Sequence, residues 1–251
     1  MKLGQKLGKV GVAAWVVLGA LGSAQANQKF CVYDMLGATG DLYNMTKDYA
    51  VAMQRNGVTI ELKGYTDERV ATEDFRTGQC DAVIATAFRI SQFNSVAGSI
   101  DTLGSTTIVR NGKIDIAASY DVVRKLIQTY ASPAATKLMT EGNYEVSGLI
   151  SLGAAYPIVN DRSINTIEKL AGKRIAAFDH DKAQAVMIQR IGAQPVSVDV
   201  TNIGPKFNNG FLDMVTLPAV AYKPFELHKG IGKTGGIGRL PIVIPTAHIM
   251  L

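Results

Sequence analysis

The stretch FCVYDMLGATGDLYN, residues 30–44, passes from one backbone chemistry to another and back. Phe30-Cys31-Val32-Tyr33 is apolar and β-prone, and Gly37-Ala38-Thr39-Gly40 is turn chemistry. Asp41 then stands where a capping carboxylate belongs, ahead of an apolar stripe at Leu42, Met45, Tyr49 and Met53. The pattern predicts a strand over 30–34, a tight turn, and a helix over 41–56 capped by Asp41. A helix start at the carboxyl end of a strand is where open α/β sheets bind ligands.

Working outward, 58–62 reads as a strand, 67–76 as a helix and 81–85 as a short buried parallel strand. Strand–helix–strand–helix–strand begins a doubly wound α/β unit. Residues 120–140 read as a helix that Pro133 breaks or kinks, and 145–156 as a long extended segment. The alternation then resumes. Helix 166–171, strand 174–178, helix 181–191, strand 195–198, helical turns 203–209, strand 212–217 and helix 219–228 precede a glycine-rich loop at 230–238 and a final strand at 240–244. Two βα clusters joined by an extended hinge predict two lobes, an arrangement that encloses a small ligand. The expected division is 27–147 for lobe I, completed by 239–251, and 148–238 for lobe II.

The first 26 residues stand apart. Lys2, Lys6 and Lys9 precede an apolar run over 10–21 and Ala24-Gln25-Ala26, the features of a cleaved signal peptide. A membrane anchor is the other reading, but the run is short of the ~20 residues a span needs. Cleavage near Ala26 leaves an exported chain, expected in the periplasm as a monomer. It removes three lysines and lowers the net charge from +5 to +2, so the basic balance is no argument for nucleic acid. Cys31 and Cys80 are the two cysteines, and in an oxidising compartment a disulfide between them is the default against two buried thiols.

Several motifs lose their force in context. Gly230-Ile231-Gly232-Lys233-Thr234-Gly235 matches a dinucleotide fingerprint, yet a helix precedes it and a Pro-bearing strand follows, so it reads as a flexible loop. Residues 36–42, LGATGDL, lie properly between strand and helix, but Tyr43 stands where a third glycine would be needed. No G-x-S-x-G or H-E-x-x-H occurs, and His180, His228 and His248 lack ligand spacing. No cofactor, metal or catalytic residue is expected.

Other stretches carry a family likeness. SINTIEKLAGKRIAAFD, IGAQPVSVD and NNGFLDM occur in the order of the second lobe of TRAP-type extracytoplasmic solute receptors, the dicarboxylate-binding class, and LPIVIPTAHIM is similar to that family's return strand. FCVYDMLGATGDLYN, GQCDAVIATAFRISQFN and SGLISLGAAYPIVND resemble the AdeT-like solute-binding proteins, a related group, over nearly all of 27–251. The resemblance implies a two-lobed periplasmic-binding-protein-like α/β fold, a small-molecule solute, and a membrane permease or efflux component as partner. It also implies a longer chain, so the C-terminal part is shortened relative to that pattern, as in a truncated or frameshifted product. TRAP receptors clamp a ligand carboxylate with an arginine in LKGLKIRV. Matching Leu170 and Gly172 places Ala176 there, so the clamp is not inherited; Arg174 lies two residues earlier.

The expected solute is small and polar, held by Tyr33, Asp34, Thr39, Thr86 and Arg89 from the first lobe and Tyr156, Asp179, Pro218 and Tyr222 from the second. Asp34, Asp179 and Arg89 would supply charge recognition, although aspartates here also suit helix or turn capping. Two other classes stay open: a hydrolase using His180 and Asp179, and an envelope or efflux-associated accessory protein acting through protein contacts.

Overall fold

The computed structural model describes residues 26–101, 106–179 and 181–251. The expected signal segment lies outside them except for Ala26, and so does His180. The chain opens with β1 (Ala26–Tyr33), α1 (Asp41–Gln54), β2 (Val58–Tyr65), α2 (Glu68–Arg76), β3 (Ala82–Thr86) and the short α3 (Ala87–Ile90). It continues through α4 (Ser95–Ser99), a hairpin of β4 (Ile108–Arg110) and β5 (Lys113–Asp115), and α5 (Ile116–Tyr130). Next come α6 (Thr136–Met139), β6 (Thr140–Glu141) and β7 (Tyr144–Ser151). The remainder is β8 (Ala155–Val159), β9 (Arg174–Phe178), α7 (Lys182–Arg190), β10 (Gln194–Val198), α8 (Ile203–Asn208), β11 (Met214–Pro218), α9 (His228–Ile231), β12 (Gly236–Ile237) and β13 (Thr246–Met250).

Two mixed sheets carry this α/β fold. The first has the order β2-β1-β3-β13-β7-β6 and the second β10-β9-β11-β8-β12. Both follow one plan: β1 is paired in parallel with β2 and β3, and β9 with β10 and β11, while an antiparallel strand, β13 or β8, lies beyond. Pro195 is tolerated because β10 is an edge strand, where a missing N–H leaves no ladder position empty. The period of two distributes the core. Cys31, Tyr33, Val83 and Ala85 face one side of the first sheet with Phe75, whereas Phe30, Val32, Ala82 and Ile84 face the other with Leu42. In the second sheet Ala176, Val215 and Leu217 pack on Phe207, and Ile175, Ala177 and Met214 on Ile188. Cys31 and Cys80 form a disulfide between β1 and the residues just before β3.

The chain changes sheets at 152–154, after β7 and before β8, so residues 148–151 belong to the first sheet although the expected division put them in the second lobe. The expected helix 120–140 ends at Tyr130 and yields to a turn at Pro133–Ala135, because proline cannot extend it. The expected helix 219–228 is a single turn at Ala219–Ala221 followed, after an interruption containing Pro224, by α9. The final strand is displaced as well. Pro241 and Pro245 cannot donate to a ladder, and among the described residues the strand pairing of 240–244 is limited to the bridge of Val243 to Ala155. The strand forms past Pro245 instead, where Ala247, His248, Ile249 and Met250 pair with both β3 and β7.

Candidate functional site

A cleft of about 340 Å³ opens between the sheets. The residues at its wall come from strand ends: Tyr33 ending β1 with Asp34 after it, Thr86 ending β3 with Phe88 beyond it, Phe178 ending β9, and Leu217 and Pro218 ending β11. Ile150 and Ser151 from β7, Ala155 from β8, and Val243 and Pro245 from the returning segment complete that side. Ligand clefts in α/β proteins lie at such carboxyl ends because the loops there can diverge without breaking the sheet.

Of the residues expected at a site, Tyr33, Asp34, Thr86 and Pro218 line the cleft. Thr39, Arg89, Tyr156, Asp179 and Tyr222 do not form its wall. Thr39 is exposed and its hydroxyl donates to the Leu36 carbonyl. Tyr156 packs on Val123, Ala154 and Ile244, and Tyr222 packs on the core around Phe207 with its ring near His228.

Asp34 does a different job from the one its charge implied. Its carboxylate accepts from the backbone N–H of Leu36, Leu42 and Tyr43, at 2.8, 2.8 and 3.1 Å. It thus satisfies orphan donors at the start of α1, whose N-cap residue is Gly40 and not Asp41. Gly40 is required by close approach: a Cβ there would sit 1.7 Å from Asp34 Oδ1. The turn in LGATGDL is therefore built around Asp34.

One polar cluster sits beside the cleft, and its centre, Glu68, was not foreseen. Glu68 lies in the first turn of α2 with a side chain only 2% exposed, and its Oε2 accepts from the Thr86 hydroxyl at 2.7 Å. Burial raises its carboxyl to about 7, against the opposing pull of the Thr86 hydrogen bond and the Arg89 charge. Arg89 Nε stands 3.8 Å from Glu68 Oε1, and Arg89 Nη2 stands 3.9 Å from Asp179 Oδ1. Burial, then the charges of Glu68 and Asp34, hold the Tyr33 phenol well above its ordinary range. The signal for Glu68 was present in Asp67-Glu68-Arg69: Asp67 caps α2 by accepting from the Arg69 N–H, which turns Glu68 inward.

Most of the remaining wall is apolar. Met35, Leu36, Leu42, Met45, Ile203 and Phe225 are among its members. Sequence reasoning selected Arg89 and Asp179 for their charge, whereas their neighbours Phe88 and Phe178 line the cleft and stack, with centroids 4.8 Å apart. Ala176 is 5% exposed inside the apolar cluster of Val198, Ile203 and Leu217. Arg174 is held by Asp213, Nη2 to Oδ1 at 2.7 Å and Nε to Oδ2 at 3.0 Å, which draws the Asp213 carboxyl down to about 2. Among the described residues, no group of three or more His, Cys, Asp or Glu could hold a metal ion, and no helix is long and apolar enough to cross a membrane.

Comparison with known proteins agrees with this geometry. The family model described as Solute-binding protein AdeT 1/2 matches residues 50–251. The Acinetobacter baumannii protein named "Probable solute-binding protein AdeT1" is 46% identical over 220 residues, which cover 88% of this chain and 69% of that protein. A TRAP periplasmic solute-binding protein of Ralstonia eutropha, solved with (S)-2-acetolactate, superposes with a TM-score of 0.68 at 15% identity, covering 90% of this chain and 69% of that one. A Bordetella pertussis extracytoplasmic solute receptor binding pyroglutamic acid gives 0.67 at 13% identity, over 90% and 70% of the two chains. The chain belongs to the AdeT 1/2 family of solute-binding proteins and has the fold of the TRAP periplasmic solute receptors.

Proposed function

We propose that this protein is a periplasmic receptor, exported by its first 26 residues, that captures a small solute between two lobes and delivers it to a membrane transporter. The lobes are 27–151 completed by 239–251, and 155–238, with the change of sheet at 152–154 as the hinge. Tyr33, Thr86 and Pro218 contact the solute; Asp34 shapes the wall without offering its carboxylate; Arg89 and Asp179 act from the rim. The reading includes no chemical turnover.

The observation that carries this reading is the cleft itself, built from the carboxyl ends of β1, β3, β9 and β11 in two different sheets. A ligand bound there touches both sheets, so its binding free energy is available to hold them together. The test is a thermal-unfolding screen of residues 27–251 against a library of small metabolites. A captured solute raises the midpoint in a concentration-dependent way and is recovered unchanged after long incubation. If no compound in a broad library stabilises the chain, or if the stabilising compound is converted, the receptor reading is wrong.

A further inference from the structure

We infer that the cleft selects an uncharged molecule with an apolar body and one hydrogen-bonding end, such as an alcohol or an amide, and disfavours carboxylates. This rests on the reading of the cleft as a solute site and gives that solute a chemical class.

Three observations converge. First, the wall presents Met35, Met45, Phe88, Phe178, Ile203 and Leu217, sulfur, aromatic and branched surfaces that recognise hydrocarbon. Second, the charged side chains among its described lining residues are Asp34 and Asp41, both acidic. A carboxylate entering would lose its hydration and find no cation in that wall to compensate, since Asp34 is engaged by three backbone N–H groups and Asp41 carries the ligand's own sign. Third, the nearby arginines stand against carboxylates of the chain: Arg174 is hydrogen-bonded to Asp213, and Arg89 is held by charge alone, 3.8 Å from Glu68 and 3.9 Å from Asp179, with its buried Nε and Nη2 making no hydrogen bond among the described residues. Pulling Arg89 away to meet a ligand would leave Glu68, 2% exposed, without the cation beside it.

The neutral polar groups fit a single uncharged end. Thr86, Ser151, Thr216 and Gln184 line the cleft; the Thr86 hydroxyl donates to Glu68 at 2.7 Å and Gln184 Oε1 accepts from the Phe178 N–H at 2.8 Å, which leaves, among the described residues, a Thr86 lone pair and the Gln184 amide N–H groups to face a ligand. Hydroxyl and amide groups of this kind can exchange hydrogen bonds with an alcohol or amide, but carry no charge to balance a carboxylate.

The probes are n-alkanamides and n-alkanols of four to eight carbons, set against n-alkanoates of equal length, titrated calorimetrically into residues 27–251 at about pH 7.5. Affinity for the neutral series rises about three- to fourfold per added methylene until the cleft is filled, and each alkanoate binds at least tenfold more weakly than its amide. Met45→Glu, a change at an exposed position of the wall, weakens amide binding at least several-fold. Alkanoates binding as well as amides would overturn the class while leaving solute capture intact. Amide binding indifferent to Met45→Glu would overturn the assignment to this cleft. If neither series binds and the metabolite screen also yields nothing, both readings fall.

Discussion

Phe88 and Phe178 stack at the cleft with ring planes 19° apart, and each belongs to a different sheet's edge of the site. The pair therefore joins the element after β3 to the end of β9. Arg69 on α2 makes a parallel connection to Asp199 after β10, at 3.2 Å. The aromatic contact should dominate, because Arg69 is 49% exposed and an exposed ion pair contributes at most about 1 kcal/mol. A double-mutant cycle on Phe88→Leu and Phe178→Leu is expected to give a coupling of about 1 kcal/mol in urea unfolding. Zero coupling would mean that the rings do not meet in solution.

Gly40→Ala tests the turn beneath α1. Its Cβ would overlap the Asp34 carboxylate, so either the side chain withdraws from three N–H donors or the turn opens. A loss on the order of 2 kcal/mol or more is expected, the scale for leaving buried donors unpaired. Asp34→Ala should destabilise by a similar amount and the double variant by little more. Full additivity would show that the two positions act separately.

Reduction of Cys31–Cys80 releases a cross-link over a sequence separation of 49. The chain-entropy relation gives about 4 kcal/mol for a loop of that size. The chain should unfold at markedly lower urea with reductant present, and Cys31→Ala/Cys80→Ala should show the same midpoint with or without it.

Glu68 predicts an unusual pH response. Its carboxyl is raised in the folded chain to about 7, so its contribution is fully present below the ordinary carboxyl range and is lost as pH rises through about 7. Asp101, raised to about 7 chiefly by burial, acts in the same direction. His248, lowered to about 4 by burial, acts oppositely: its contribution is present above about pH 6.5 and is lost as pH falls toward 4. Glu68→Gln isolates the first effect, since an amide can keep the Thr86 contact. Relative to the parent chain, it should gain on the order of 3 kcal/mol of unfolding free energy between about pH 4.5 and pH 8. A difference that is flat over this interval would show that Glu68 is not buried as described.

The alternation of residues 30–86 was legible because each buried strand is short, apolar and bounded by turn residues. The two-sheet fold followed from its recurrence after residue 174, together with the likeness to known receptors. The site was less legible. Strand ends were identifiable, but which side chain at each end faces inward depends on how the next turn leaves the sheet. Phe88 and Phe178 took the inward positions, leaving Arg89 and Asp179 behind them. Asp34 and Gly40 are close only after the turn has folded back, so the carboxylate's engagement was hidden in a stretch whose strand, turn and helix were legible but whose expected cap, Asp41, gave way to Gly40. Pro245 moved the last strand, since pairing on two sides demands an N–H at every position and 240–244 does not offer it.

Strand β13 sits between β3 and β7, in the interior of a sheet whose first strand begins at Ala26. Until residues 246–250 emerge, the β3 and β7 edges that they will occupy have no partner. The second sheet uses only strands from 155 to 237 and can be completed earlier. Folding order is thereby coupled to the direction of synthesis: the sheet that starts the chain closes last, and until it does its central seam stays open.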